Sequence, residues 1–169
     1  EKLKYKISIN VNKKKKYFYS NSFFENDLQN LLASITIISI FKDIQKLDKN
    51  IFYEHKATAG RGDIVKVKLF KKNLYLVDES YNSNPLSLNS ALKNFDMIKV
   101  DNSKKHLVLG DMLELGKYSK KLHIEIGKSI NKTSLKNINV IGEHVKWIFN
   151  NLNKSKRGIV IKKKSQIID

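Results

Sequence analysis

Apolar residues recur along this chain in two rhythms, and the switches between them mark its elements. From Lys4 to Ile9 apolar and charged residues alternate, Asn10-Val11-Asn12 turns the chain, and alternation resumes at Tyr17-Phe18-Tyr19. This predicts a hairpin or sheet edge whose lysines discourage further pairing. Between Asp27 and Phe41 the period lengthens, and Leu28, Leu31, Leu32, Ile35 and Ile38 share one face of a predicted helix. A polar connection over 44–58 ends at Ala59-Gly60-Arg61-Gly62. Two apolar runs, Ile64–Phe70 and Leu74–Val77, then flank a Lys71-Lys72-Asn73 turn and predict a second hairpin. The latter run barely alternates, which predicts a strand covered on both faces.

From there strands and helices take turns. Asn84 suits an N-cap and Pro85 the first helical position, where a missing N–H costs nothing, and Leu88, Ala91, Leu92 and Phe95 follow at helical spacing. A strand over His106–Leu109 precedes a helix over Ser119–Asn131, with Leu122, Ile126 and Ile130 inward and His123 beside that face. Ile138–Gly142 reads as a strand with a glycine turn, Val145, Ile148, Phe149 and Leu152 mark a helix with Trp147 off its stripe, and Gly158–Ile161 is a last strand. This alternation predicts a Rossmann-like α/β domain over 59–169, preceded by a separate piece at 1–58.

Two of the strands stop at acidic residues followed by polar turns: Asp78-Glu79-Ser80-Tyr81-Asn82-Ser83-Asn84-Pro85 and Gly110-Asp111-Met112-Leu113-Glu114-Leu115-Gly116. In an open α/β sheet both turns fall at the carboxyl edge, where ligands bind. Asp78 and Glu79 are acceptors suited to ribose hydroxyls. Tyr81 offers a flat face and a hydroxyl, and Asn82 and Asn84 offer amides that donate and accept, although turn and capping chemistry accounts for such asparagines equally well. The glycines around Arg61 let the backbone turn and leave the guanidinium able to grip a phosphate with two N–H groups.

Composition narrows the classes. The 169 residues include no cysteine, which excludes disulfides and thiolate metal sites, and no apolar run approaches the roughly 20 residues of a membrane-spanning helix. Lys and Arg number 33 against 16 Asp and Glu, a formal +17. The excess is nearly all Lys, spread over predicted loops and helix surfaces, and so reads as solvated surface. A nucleic-acid module would carry a recognition helix or an aromatic platform, and neither motif is present. A phosphorelay receiver with Asp111 as phospho-acceptor is a second alternative. It fits Asp78-Glu79 and Asp111, yet only one helix and no further strand separates these sites.

Asp78-Glu-Ser-Tyr-Asn-Ser-Asn-Pro85 and Leu109-Gly-Asp-Met-Leu-Glu-Leu-Gly116, in this order with a helix between, resemble paired signatures of the Mur ligases. Asn30-Leu-Leu-Ala-Ser34 resembles the family's Asn-x-Leu-Ala-Ala helix, with Asn26 where the family commonly has a His, and Gly60-Arg61 falls where the family has its interdomain Gly-Arg. His123 and Gly127 match the family's His-x-x-x-Gly. The resemblance implies an ATP- and Mg²⁺-dependent amide ligase of the cytoplasm, monomeric, acting on UDP-N-acetylmuramoyl-tripeptide and D-alanyl-D-alanine rather than on nucleic acid. Residues 1–58 correspond to the end of its central ATPase domain and 59–169 to its C-terminal domain. It implies nucleotide contacts at Asn30, Arg61 and one of Asp78 and Glu79. Tyr81, Asn82 and Asn84 suit the nucleotide or the dipeptide, Tyr81 and Asn82 being assigned to the nucleotide and Asn84 to the substrate with Asp111 and Met112, where the Asp111 carboxylate suits the dipeptide's ammonium group. The family's phosphate loop, metal ligands and closing Lys-Gly-Ser segment find no counterpart here. The expectation is therefore a piece, shortened at both ends, that is inactive alone and holds no catalytic or metal-binding residue.

Overall fold

The computed structural model describes residues 4–22, 24–54, 59–69 and 71–162. Internal packing divides the chain into two units, residues 1–57 and 58–169.

In the first unit β1 (Tyr5–Val11) pairs antiparallel with β2 (Lys14–Ser20). Asn12 and Lys13 take left-handed φ values of 51° and 64° at the turn, the twist that a two-residue hairpin loop demands. The period-two pattern sends Ile9, Val11 and Phe18 inward onto Leu31 and Ile35 of helix α1 (Glu25–Phe41). Outward lysines lie against aromatic rings, with Lys6 Nζ 4.3 Å and Lys49 Nζ 4.6 Å from the centre of the Tyr17 ring. The predicted apolar face of α1 is covered only in part, since Leu32 is 47% exposed. A two-stranded hairpin is narrow, so only the pair one helical turn apart reaches its centre.

The second unit begins with β3 (Asp63–Leu69) and β4 (Lys72–Asp78), which pair antiparallel around Lys71 at φ 65°. The predicted hairpin therefore forms, with Phe70 outside the described residues. The prediction that β4 is covered on both faces does not hold: Leu74 and Leu76 are 47% and 54% exposed, and the two strands make a sheet of their own. β4 pairs with β3 along seven residues and with no other strand among the described residues, so only its alternate backbone groups are bonded in the ladder. Its apolar side chains are thereby left without a covering layer.

The parallel sheet consists of β5 (Leu107–Leu109), β6 (Ile138–Ile141) and β7 (Arg157–Ile161), with β6 in the middle. Helices α2 (Pro85–Met97), α3 (Ser119–Asn131) and α4 (Lys146–Asn151) connect and cover the strands. Leu92, Leu109, Ile126, Ile130, Val140 and Ile148 belong to the core between these layers, where each such side chain contributes about 1.5–3 kcal/mol. Gly127 lets α3 approach α4 closely, because a Cβ there would lie 3.0 Å from the Ile148 carbonyl.

Lysines help to close the amino edge of this sheet. Just before β5, Lys105 is 4% exposed and donates to the Asp96 carbonyl at 2.9 Å, while Lys156, just before β7, donates to the carbonyls of Thr133 and Leu135 at 2.6 and 2.9 Å. The reading of the lysines as solvated surface fails at these two positions. Their aliphatic stems pack inside and their heads satisfy carbonyls at chain reversals.

Candidate functional site

Two loops of the second unit bring the predicted nucleotide-binding residues Arg61, Asp78, Glu79, Tyr81 and Asn82 into one neighbourhood. Gly60 turns the chain with φ 76°, and its N–H donates to Asp63 Oδ1 at 2.9 Å. The Tyr81 amide donates to the Gly60 carbonyl at 3.1 Å and the Gly62 amide to the Asp78 carbonyl at 2.7 Å. A Cβ on Gly60 would stand 2.9 Å from the Tyr81 nitrogen, so this closure requires glycine.

The consequence is a cation–ring contact: the Arg61 guanidinium carbon lies 4.4 Å from the centre of the Tyr81 ring. The contact restrains the side chain while Arg61 stays exposed, an arrangement suited to an incoming phosphate. Among the described residues no carboxylate lies within ion-pair distance of Arg61. Asp78 accepts from the Ser80 amide at 3.0 Å, and its carboxyl is held below the ordinary aspartate range, chiefly by the Ser80 hydroxyl and then by that amide. Glu79 reaches the same turn, its Oε1 3.1 Å from where a Gly62 Cβ would stand, and Asn82 Oδ1 accepts from the Ser83 amide at 2.8 Å. Asn30 belongs to the other unit, where it is exposed on α1 and its carbonyl accepts from Ser34 Oγ at 2.8 Å.

The three residues expected to meet the substrate have structural engagements of their own. Asn84 Oδ1 accepts from the amides of Leu86 and Ser87 at 3.0 and 2.9 Å, and Ser87 Oγ accepts from the Asn84 amide at 3.1 Å, which completes a capping box. Asp111, at the carboxyl end of β5, spans to the loop after β6: its Oδ2 accepts from the Glu143 amide at 3.0 Å and its Oδ1 from the Val145 amide at 2.7 Å. An aspartate so engaged is not poised as a phospho-acceptor. Met112 is 1% exposed, so its side chain is a core anchor and only its backbone faces the turn.

Sequence reasoning singled out Asp111 and read a glycine turn at Gly142 but missed their contact, in which the φ of 136° at Gly142 brings the chain so close that a Cβ would fall 2.5 Å from Asp111 Oδ1. The signal was present as a glycine directly after an apolar strand. His123, read as lying beside the inward face of α3, is fully buried there.

Residues 60–169 match the family model described as Mur ligase, glutamate ligase domain. The UDP-N-acetylmuramoyl-tripeptide–D-alanyl-D-alanine ligase of Rickettsia prowazekii is 29% identical over 126 residues, covering 75% of this chain and 26% of that protein. The ligase of the same name from Buchnera aphidicola is 36% identical over 108 residues, covering 57% of this chain and 23% of that protein. The chain thus spans about a quarter of the length of these relatives. Among solved structures, MurF from Acinetobacter baumannii superposes with a TM-score of 0.73 at 17% identity, covering 92% of this chain and 32% of that one. MurF ligase from Thermotoga maritima in complex with ADP gives 0.73 at 19% identity, covering 97% of this chain and 36% of that one. At such identities the likeness shows the fold.

Proposed function

We propose that this chain, which belongs to the Mur ligase family through residues 60–169, forms the C-terminal part of the ligase joining D-alanyl-D-alanine to UDP-N-acetylmuramoyl-tripeptide. In this reading 1–58 end the central ATPase domain and 59–169 are the C-terminal domain. The longer protein is a cytoplasmic monomer with no nucleic-acid partner. No described helix is long and apolar enough to cross a membrane.

The observation that carries the reading is the tie between the Gly60–Gly62 turn and the Asp78–Asn82 loop. It ties the turn that bears an exposed guanidinium to the loop that bears two carboxylates, and a nucleotide needs both: a donor fork for phosphate and acceptors for ribose hydroxyls. Arg61 holds a phosphate, Asp78 or Glu79 takes the ribose, Tyr81 backs the guanidinium and Asn82 completes the contacts of this unit, while Asn30 of the first unit is assigned to the nucleotide by resemblance alone. Asn84, Asp111 and Met112 shape the strand-end turns that face the dipeptide. ATP supplies the phosphoryl group that activates the tripeptide's terminal carboxylate as an acyl phosphate, which the dipeptide amine displaces as phosphate. Among the described residues no three His, Asp or Glu side chains converge, so Mg²⁺ is assigned to none of them.

The test is kinetic, in the full-length protein. Arg61→Ala, and Asp78→Asn with Glu79→Gln, are each expected to raise the ATP KM about tenfold or more, since a charged hydrogen bond contributes about 1.5–3 kcal/mol. The D-alanyl-D-alanine KM should move far less. Unchanged ATP KM and kcat in both variants would remove these residues from the nucleotide site.

A further inference from the structure

The carboxyl edge of the parallel sheet contains a buried imidazole that the reading above does not use. His123 on α3 has no solvent exposure, and both of its nitrogens are engaged. Its Nδ1 lies 2.8 Å from the Ser119 carbonyl, which can only accept, so Nδ1 carries the proton and donates. Nε2 lies 3.2 Å from the Met112 amide, which can only donate, so Nε2 presents its lone pair. Only the neutral Nδ1–H tautomer satisfies both. The ring is packed edge-on against His144 and Trp147, with centroids 5.9 Å away in each case, and His144 and Trp147 stack on each other at 5.0 Å. Ser119 Oγ lies 2.8 Å from His144 Nδ1, so one helical turn of α3 grips two loops at once.

We infer that His123 is the positioning residue of the Gly110–Met112 turn, and that with Asp111 it clamps the strand ends of β5 and β6 into the shape presented to the dipeptide. The amide of Met112 belongs to the residue after Asp111. By capturing that amide, His123 fixes the peptide plane between them and with it the direction of the Asp111 carboxylate. Asp111 can then accept from Glu143 and Val145 together. Neither interaction reaches solvent with a free catalytic group, which assigns the pair to geometry rather than to proton transfer. The dipeptide role rests on the function proposed above. The clamp itself does not.

Two measurements on the 169-residue chain test the clamp directly. Imidazole ¹⁵N spectra should show His123 protonated on Nδ1 and bare on Nε2. Amide exchange should be slow at Met112, Glu143 and Val145 and at least tenfold faster at all three in His123→Leu, while His123→Gln, which keeps an acceptor, should restore part of the protection. The opposite tautomer, or exchange at Glu143 and Val145 indifferent to His123→Leu, overturns the clamp. In the full-length ligase, His123→Leu should raise the D-alanyl-D-alanine KM about tenfold and leave the ATP KM within twofold, with His123→Gln between. An equal change in both constants overturns the positioning role. If the unmodified full-length protein shows no dipeptide-dependent turnover, the proposed function has failed, and tautomer and exchange still decide whether the clamp exists.

Discussion

Replacing Gly142 with Ala puts a methyl group into the contact that joins the two strand ends. The ideal Cβ would lie 2.5 Å from Asp111 Oδ1, 2.6 Å from Cγ and 2.7 Å from Oδ2, and the residue sits at φ 136°. Two costs follow. Holding a side chain in that left-handed backbone costs about 1–3 kcal/mol. Asp111 must also withdraw, which gives up its bonds to the Glu143 and Val145 amides, each contributing about 1.5–3 kcal/mol before water replaces part of it. A net loss of about 3–5 kcal/mol is expected. Gly110 supplies the control on the same edge: no atom lies within 4 Å of its would-be Cβ, so Gly110→Ala should stay within about 0.5 kcal/mol. Urea unfolding followed through Trp147, the sole tryptophan, reports on this unit. If the two variants differ from each other by less than about 0.5 kcal/mol, the Asp111 contact does not carry the load assigned to it.

Asn84→Ala should cost about 1 kcal/mol through loss of the α2 cap, with Asn84→Asp retaining most of it, as read from the urea midpoint. Burial lowers the folded-state pKa of Lys156 below the ordinary 10.5, so the unfolded chain binds this proton more tightly. Stability should therefore rise with pH from the folded value to the unfolded one and level off above it, an increment that Lys156→Met removes. Matching pH dependences of wild type and variant between about pH 8 and 11 would contradict this sign. The 169-residue chain alone should neither ligate nor hydrolyse ATP, because phosphoryl transfer depends on a phosphate-cradling loop and metal that its motifs do not include. Phosphate release by the purified chain would contradict that.

Much of this molecule is local enough to be read from residues. Asn84-Pro85 caps α2 because capping chemistry is confined to four consecutive residues, and α3 occupies its predicted span because an apolar stripe at helical spacing has one good solution. Arg61, Asp78, Glu79, Tyr81 and Asn82 could be singled out because they sit in a glycine turn or at a strand end, and the family resemblance drew them together. What escaped depends on pairings distant in sequence. The exposure of β4 reflects its choice of β3 as partner, which an apolar run does not specify. The burial of Lys105 and Lys156 depends on carbonyls at the ends of other elements, and Asp111 accepts from amides 32 and 34 positions further along the chain. His123 reads as a packed histidine although helical spacing places it at the border of the inward stripe, and it is buried. Only the loop folded over it settles its side.

The most direct test of the central claim is a ligation assay with the full-length protein, ATP, Mg²⁺, UDP-N-acetylmuramoyl-tripeptide and D-alanyl-D-alanine, following phosphate release and the mass of the product. The account predicts one phosphate released per pentapeptide product formed, release that requires both substrates, and a rise in the ATP KM with Arg61→Ala. Phosphate release indifferent to D-alanyl-D-alanine, or coupled instead to a free amino acid, would contradict it.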